Sequence, residues 1–156
     1  MHNPDKYQII KAGKNELDNI SFLWQKLNDL HFEISAYFKN RFKTNSWEKR
    51  KKALIDKSKN LLLEYAIDKE SKLIIGYCIS TIDKNNPTVG EIDSVYIEEK
   101  YRKSGLGRTL VENAITWLNS EGVETQKLLV GVGNEKVIDF YRQFGFQPLH
   151  IVMQKT

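Results

Sequence analysis

Tyr101-Arg102-Lys103-Ser104-Gly105-Leu106-Gly107-Arg108 is a basic stretch with two glycines, set between segments of different periodicity. Before it, Glu91-Ile92-Asp93-Ser94-Val95-Tyr96-Ile97 is rich in β-branched and aromatic residues and follows Gly90, which predicts a strand. After it, Leu106, Leu110, Val111, Ala114, Ile115 and Leu118 recur at helical spacing, and Gly122 supplies a stop. A strand, a short basic loop and a helix in that order make a backbone anion site. The first N–H groups of a helix lack intrahelical partners, and the macrodipole adds roughly half a positive charge there. Gly105 and Gly107 keep side chains clear of that point, and Arg102, Lys103 and Arg108 add charge around it. The stretch reads as a cradle for a pyrophosphate.

The spacing departs from Gly-x-x-x-x-Gly-Lys-Ser/Thr, which disfavours a nucleotide-hydrolysing loop, and from Gly-x-Gly-x-x-Gly in a first βαβ unit, which disfavours a dinucleotide fold. It matches Arg/Gln-x-x-Gly-x-Gly, as Arg102-Lys103-Ser104-Gly105-Leu106-Gly107, and so resembles the coenzyme A signature of the GNAT superfamily of N-acetyltransferases. Further on, Asn134-Glu-Lys-Val-Ile-Asp-Phe-Tyr-Arg-Gln-Phe-Gly-Phe146 is similar to that family's Asn…Phe-Tyr…Gly-Phe element. The two segments lie in the family's order and separation.

Composition sets the outer bounds. The chain has 156 residues, 40% hydrophobic and 28% charged, which suits one globular domain spanning 1–156 rather than a disordered chain. No apolar run approaches the roughly 20 residues of a spanning helix, and the polar N-terminus lacks a leader-like core, so the expectation is cytoplasmic with no membrane partner. Cys78 is the single cysteine, so no internal disulfide can form. His2, His31 and His150 with one cysteine give no metal-ligand spacing, and no metal is expected. The net charge of +4 is concentrated in the first 60 residues, mostly between Lys39 and Lys59. A solvated helix face is the expected origin; a nucleic-acid patch, with Phe42 and Trp47 interleaved, is the alternative.

Along the chain, Tyr7–Lys11 predicts a first strand. Asn15 with Asp18 predicts the start of a helix whose inner face carries Leu17, Ile20, Phe22, Leu23, Leu27 and Leu30. Ser46 predicts the cap of a second helix, 47–59, with Trp47, Leu54 and Ile55 inward and the Lys/Arg block outward. Leu61–Ile67 and Lys72–Ile82 predict a hairpin, and Asn85-Asn86-Pro87 a turn before the strand Val89–Ile97. Lys127–Val132 reads as a strand buried on both faces, Asn134 starts a helix ended by Gly145, and Pro148–Gln154 reads as a last strand. The expected fold is α/β (α+β): the GNAT acyl-CoA N-acyltransferase fold, a mixed, mainly antiparallel central sheet with helices on both faces.

The family resemblance carries expectations about the site. It implies acetyl-CoA as cosubstrate, held by the strand residues Val95, Tyr96 and Ile97, by Arg102, Lys103, Ser104, Gly105, Leu106, Gly107 and Arg108 in the loop, and by Asn134, Val137 and Tyr141. Tyr141 stands where the family places a tyrosine acting as general acid, since a phenol of pKa about 10 keeps its proton at neutral pH. Glu91, eleven residues before Arg102, corresponds to a glutamate that serves some protein-lysine acetyltransferases as base. As strand residues two apart, Glu91 and Asp93 share a face and could attract a cationic amine. His31 and Glu33 fall in the region that in this family covers the acceptor, and Asn134 either caps its helix or touches the coenzyme. Cys78 reads as a packed apolar residue.

The resulting expectation is an enzyme that moves an acetyl group from acetyl-CoA to a primary amine, on a small molecule or a protein, by direct transfer in a ternary complex. A nucleic-acid-binding or coenzyme-sensing accessory domain without turnover is the alternative. A homodimer is common among such proteins.

Overall fold

The computed structural model of the chain describes residues 4–156, so His2 lies outside the described residues. Five segments pair into one sheet, β1 (Tyr7–Ala12), β2 (Ser58–Asp68), β3 (Ile74–Asp83), β4 (Val89–Ile97) and β5 (Thr125–Leu128), in the order β1-β2-β3-β4-β5. The first four are antiparallel neighbours, whereas β4 and β5 run parallel. A parallel pair needs a crossover, which α4 (Leu106–Ser120) provides. This is the mixed, mainly antiparallel sheet that the sequence predicts.

Helices cover both faces because the strands are apolar on both. On one face α4 lays Leu106, Leu110, Val111, Ala114 and Leu118 against Ile75, Cys78, Ile82 and Ile92, and α5 (Ile138–Arg142) adds Phe140 and Tyr141 at the rim. Burying five such side chains contributes about 1.5–3 kcal/mol for each large one before chain entropy is counted. On the other face a 3₁₀ segment (Lys14–Ile20), α1 (Ser21–Ile34) and α3 (Trp47–Lys57) pack Leu17, Ile20, Leu23, Trp24 and Leu54 onto Leu61, Leu63, Tyr65, Tyr77 and Ile79. A short α2 (Lys39–Thr44) closes the end of α1, where Asn28 donates to the Phe42 carbonyl at 2.8 Å.

Several local expectations are corrected. The first helical segment starts at Lys14 after Gly13, whose N–H donates to the Glu16 carboxylate at 3.0 Å, so Asn15 is not the cap. Ser46 does cap α3, accepting from the Lys49 N–H at 3.2 Å. In α3 the Lys/Arg block is not wholly outward: Arg50 and Lys57 flank the inward Leu54 at helical spacing and reach β4. β5 ends at Leu128, and beyond it Leu129 and Val132 are 84% and 71% exposed rather than buried on both faces. Pro148–Gln154 forms no strand, so β5 stays at the sheet edge, and no strand among the described residues covers its apolar continuation.

Candidate functional site

β4 and β5 pair only from Val89 to Ile92 against Thr125 to Leu128, and then part. Among the described residues, Asp93–Ile97 therefore runs on with no strand on its β5 side, where a ligand in the gap could pair with its backbone; the carbonyls of Asp93 and Ile97 are taken by Arg50 and Arg102. The parting coincides with a bulge. Ile79 pairs with Ser94 and Ser80 with Ile92, so Asp93 is the extra residue. The bulge changes which face each side chain takes. Ile92, Val95 and Ile97 pack with the α4–α5 face, whereas Ser94 bonds Tyr77 across 2.7 Å on the other.

The loop from Arg102 to Gly105 turns beside this gap. Lys103 and Gly105 have left-handed backbone, φ +63° and +88°, which curls successive N–H groups to one side as a nest for an anion does. Gly105 is the N-cap of α4, where only glycine adopts that conformation without a steric penalty. The Leu106 N–H makes a long contact to the Ser104 hydroxyl, 3.4 Å, and the Thr109 N–H bonds the Gly105 carbonyl, whereas those of Gly107 and Arg108 have no partner among the described residues. Arg102 folds back, donating through Nε to the Ile97 carbonyl at 2.8 Å and lying over the Tyr96 ring. Arg108 pairs with Glu112 and donates to the Gln143 side chain.

Gly107 has ordinary helical backbone, and a β-carbon there would meet Ile97 Cγ1 at 3.7 Å and Phe140 Cζ at 3.8 Å, plain van der Waals contact. Neither conformation nor packing demands glycine at this position. A glycine in the first turn of a helix normally costs stability. What it leaves bare is the first turn of α4, beside the Lys103–Gly105 loop.

Tyr141 sits on the α4–α5 face, edge-on to Phe140 and Phe146 and packed with the cluster that holds Val95 and Ile97. Burial pushes its phenol above the ordinary value, so it stays protonated at neutral pH. Its hydroxyl makes no hydrogen bond among the described residues. Cys78, buried on the same face, has its thiol pushed up to about 12 by desolvation. A thiol so held is a poor nucleophile. We expect it to resist a chromogenic disulfide reagent at pH 8 in the folded protein and to react in full after denaturation; fast reaction in the native state would contradict this packing.

Glu91 and Asp93 lie on the other face, towards α3, with β4 between them and Tyr141. They do share a face, and Lys57 fills the space between them, donating to Glu91 Oε2 at 3.0 Å and to Asp93 Oδ1. Asp93 also accepts from the Thr81 hydroxyl at 2.6 Å, and Arg50 stands 3.9 Å from its carboxylate. Burial pushes the Asp93 carboxyl up, opposed by the Lys57 charge and hydrogen bond. The expected acidic pair is thus a neutralised cluster. Arg50 and Lys57 were missing from the sequence reading; the signal present was their spacing about Leu54, which places them beside the buried stripe.

The remaining candidates divide. His31 stacks on Phe42 at 5.4 Å and borders Gly131 in the loop after β5, and burial lowers its pKa. Glu33 is exposed, and its backbone carbonyl accepts from Lys39 at 3.0 Å. Asn134 precedes a 3₁₀ turn (Glu135–Val137) without a side-chain cap hydrogen bond, and Val137 is half-buried beside it. Much of the basic run is engaged internally: Lys39 with the carbonyls of Phe32 and Glu33, Lys51 with Asp18 and Glu48, Lys52 with Asp56, and Lys57 as above. Among the described residues no cluster of His, Cys, Asp and Glu could hold a metal, and no helix is long and apolar enough to cross a membrane.

Residues 24–146 match the model of the acetyltransferase (GNAT) family. A curated relative, an uncharacterized N-acetyltransferase of Methanocaldococcus jannaschii, is 34% identical over 74 residues, 47% of this chain. The match covers 32% of that relative's length. Among solved structures, an acetyltransferase of Trypanosoma brucei superposes with a TM-score of 0.67 at 18% identity, covering 96% of this chain and 99% of that one. An aminoglycoside acetyltransferase from an uncultured soil metagenomic sample gives 0.66 at 17% identity, covering 98% and 99%. At these identities the structures show a shared fold.

Proposed function

Because the chain belongs to the acetyltransferase (GNAT) family, we propose that it transfers an acetyl group from acetyl-CoA to a primary amine, directly and within a ternary complex. The observation that carries the coenzyme assignment is Gly107, a glycine the protein does not need for itself, beside a left-handed loop and at the start of a helix where the N–H groups of Gly107 and Arg108 have no partner among the described residues. The pyrophosphate would lie on the N–H groups from Lys103 to Arg108, and the pantetheine arm along Val95 to Ile97. Asn134 and Val137 would border the same coenzyme.

Acetyl-CoA supplies an acyl group activated as a thioester; the chain's own residues bind it and manage protons. Tyr141, kept protonated by burial, donates toward the sulfur as the bond to it breaks. The amine, with a pKa near 10.4, arrives mostly protonated and must lose a proton to solvent or a water relay. We assign Glu91 and Asp93 to the support of β4 rather than to proton abstraction, because Lys57 and Arg50 already neutralise them. The neutralised pair also removes the electrostatic reason for restricting the acceptor to polycations.

Thiol release from acetyl-CoA, followed with a panel of amines (a polyamine, a lysine peptide, an aminoglycoside and an amino sugar phosphate), tests this reading. Amine-dependent release with an acetylated product supports it; binding of acetyl-CoA with no turnover on any amine would favour a sensor. Gly107→Ala separates the two parts of the argument. It should raise folding stability by about 0.5–1 kcal/mol, the usual gain from removing a helical glycine, while weakening acetyl-CoA binding. An alanine variant that binds as well as the parent would make the loop a turn and nothing more.

A further inference from the structure

The bulge at Asp93 decides which parts of β4 look towards the α4–α5 face. With regular alternation Glu91, Asp93, Val95 and Ile97 would share one face. Here the extra residue breaks that parity: Glu91 and Asp93 face α3, Ser94 joins them there through Tyr77, and Val95 and Ile97 turn towards Tyr141. Backbone N–H and C=O groups alternate with the side chains, so the same shift selects which of them open into the gap beside β5. If the bulge healed by sliding one residue, every group from Ser94 to Ile97 would be presented the other way. A bulge leaves its own residue unpaired, and so needs holding.

We propose that Asp93 and Arg50 are positioning residues that lock this bulge, and through it the backbone of Val95–Ile97 on which the acyl donor lies. The proposal rests on the coenzyme reading given above. Asp93 is gripped from three sides. Lys57 and the Thr81 hydroxyl bond its carboxylate, whose side chain is 0% exposed, and Arg50 Nη2 donates to its backbone carbonyl at 3.2 Å. Arg50 comes from the middle of α3, and Thr81 from β3, so helix and sheet both fix the bulged peptide. A buried charged cluster adds little net stability over an apolar one, and its best-attested use is to enforce one register over another. That is the role its location suits: Ile92 is the last β4 residue paired with β5, and Asp93 is the next.

The test compares Arg50→Ala, Arg50→Lys and Asp93→Asn with the parent by titration calorimetry with acetyl-CoA, well below each thermal midpoint. Arg50 keeps 30% of its side chain in solvent and Asp93 keeps Lys57 without it, so Arg50→Ala folds whether or not Asp93→Asn does. The expected result is a dissociation constant raised at least about tenfold in Arg50→Ala, with partial recovery in Arg50→Lys. Amide exchange should also quicken across 94–97. A merely structural role would lower the midpoint and leave the affinity of the folded protein unchanged, and that outcome overturns the proposal. Failure of the parent to bind acetyl-CoA would instead overturn the coenzyme reading beneath it.

Discussion

Tyr141→Phe should lower kcat about a hundredfold while leaving acetyl-CoA affinity at the parent value, the lower end of what a positioned general acid contributes. The substitution removes one hydroxyl and no packing: the ring keeps its edge-on contacts with Phe140 and Phe146 and its place beside Val95 and Ile97. The hydroxyl bonds nothing in the protein among the described residues, so its loss leaves no internal partner stranded, and stability should stay near the parent's. Burial raises the phenol pKa, so the donating form persists as pH rises. The parent's kcat should accordingly show no alkaline loss from this group up to pH 10. Equal turnover in parent and phenylalanine variant would remove Tyr141 from the chemistry and leave it a rim aromatic.

The largest stability effect should come from Lys57→Ala. The variant leaves the Asp93 carboxylate, fully shielded from solvent, facing Glu91 with the Thr81 hydroxyl as its hydrogen-bond donor and Arg50, 3.9 Å away, as its nearby countercharge. Breaking a buried pair from one side costs about 3–5 kcal/mol. The low end, about 3 kcal/mol, applies here because a third of the Lys57 side chain reaches solvent and Arg50 remains. For a chain of this size that is a fall of about 6–12 °C in Tm. Adding Asp93→Asn to Lys57→Ala should recover part of the loss, because the stranded charge goes with it. A calorimetric change below about 1 kcal/mol in the single variant would mean that water reaches the cluster and screens it, as at an exposed pair.

Much of the fold could be read locally. The strand Val89–Ile97 and the helix after Gly105 follow from β-branched residues, helical spacing and a glycine cap, all within one continuous stretch of chain. What escaped is what depends on distant partners. Lys127–Val132 is apolar enough for a buried strand, yet a strand is buried only when other elements cover it, and no local pattern says that Pro148–Gln154 stays unpaired. Asn15 has good capping chemistry, but Glu16 reaches back to Gly13 and the helix starts a turn differently. The site divides along the same line. The turn into α4 was legible because its left-handed N-cap position needs a glycine, which Gly105 supplies. The acidic pair was legible as a pair, because strand spacing sets a face. Its neutralisation by Lys57, 34 residues earlier in the chain, was not. Nor was the bulge, since nothing in Ile92-Asp93-Ser94 marks an extra residue until the register with β3 is known.

Titration calorimetry of the purified protein with acetyl-CoA, with ATP and NAD as controls, tests the central claim most directly. Binding should be selective and in the micromolar range, about −8 kcal/mol, with neither control competing. A folded sample that takes up no acetyl-CoA, or takes up all three ligands alike, would contradict it.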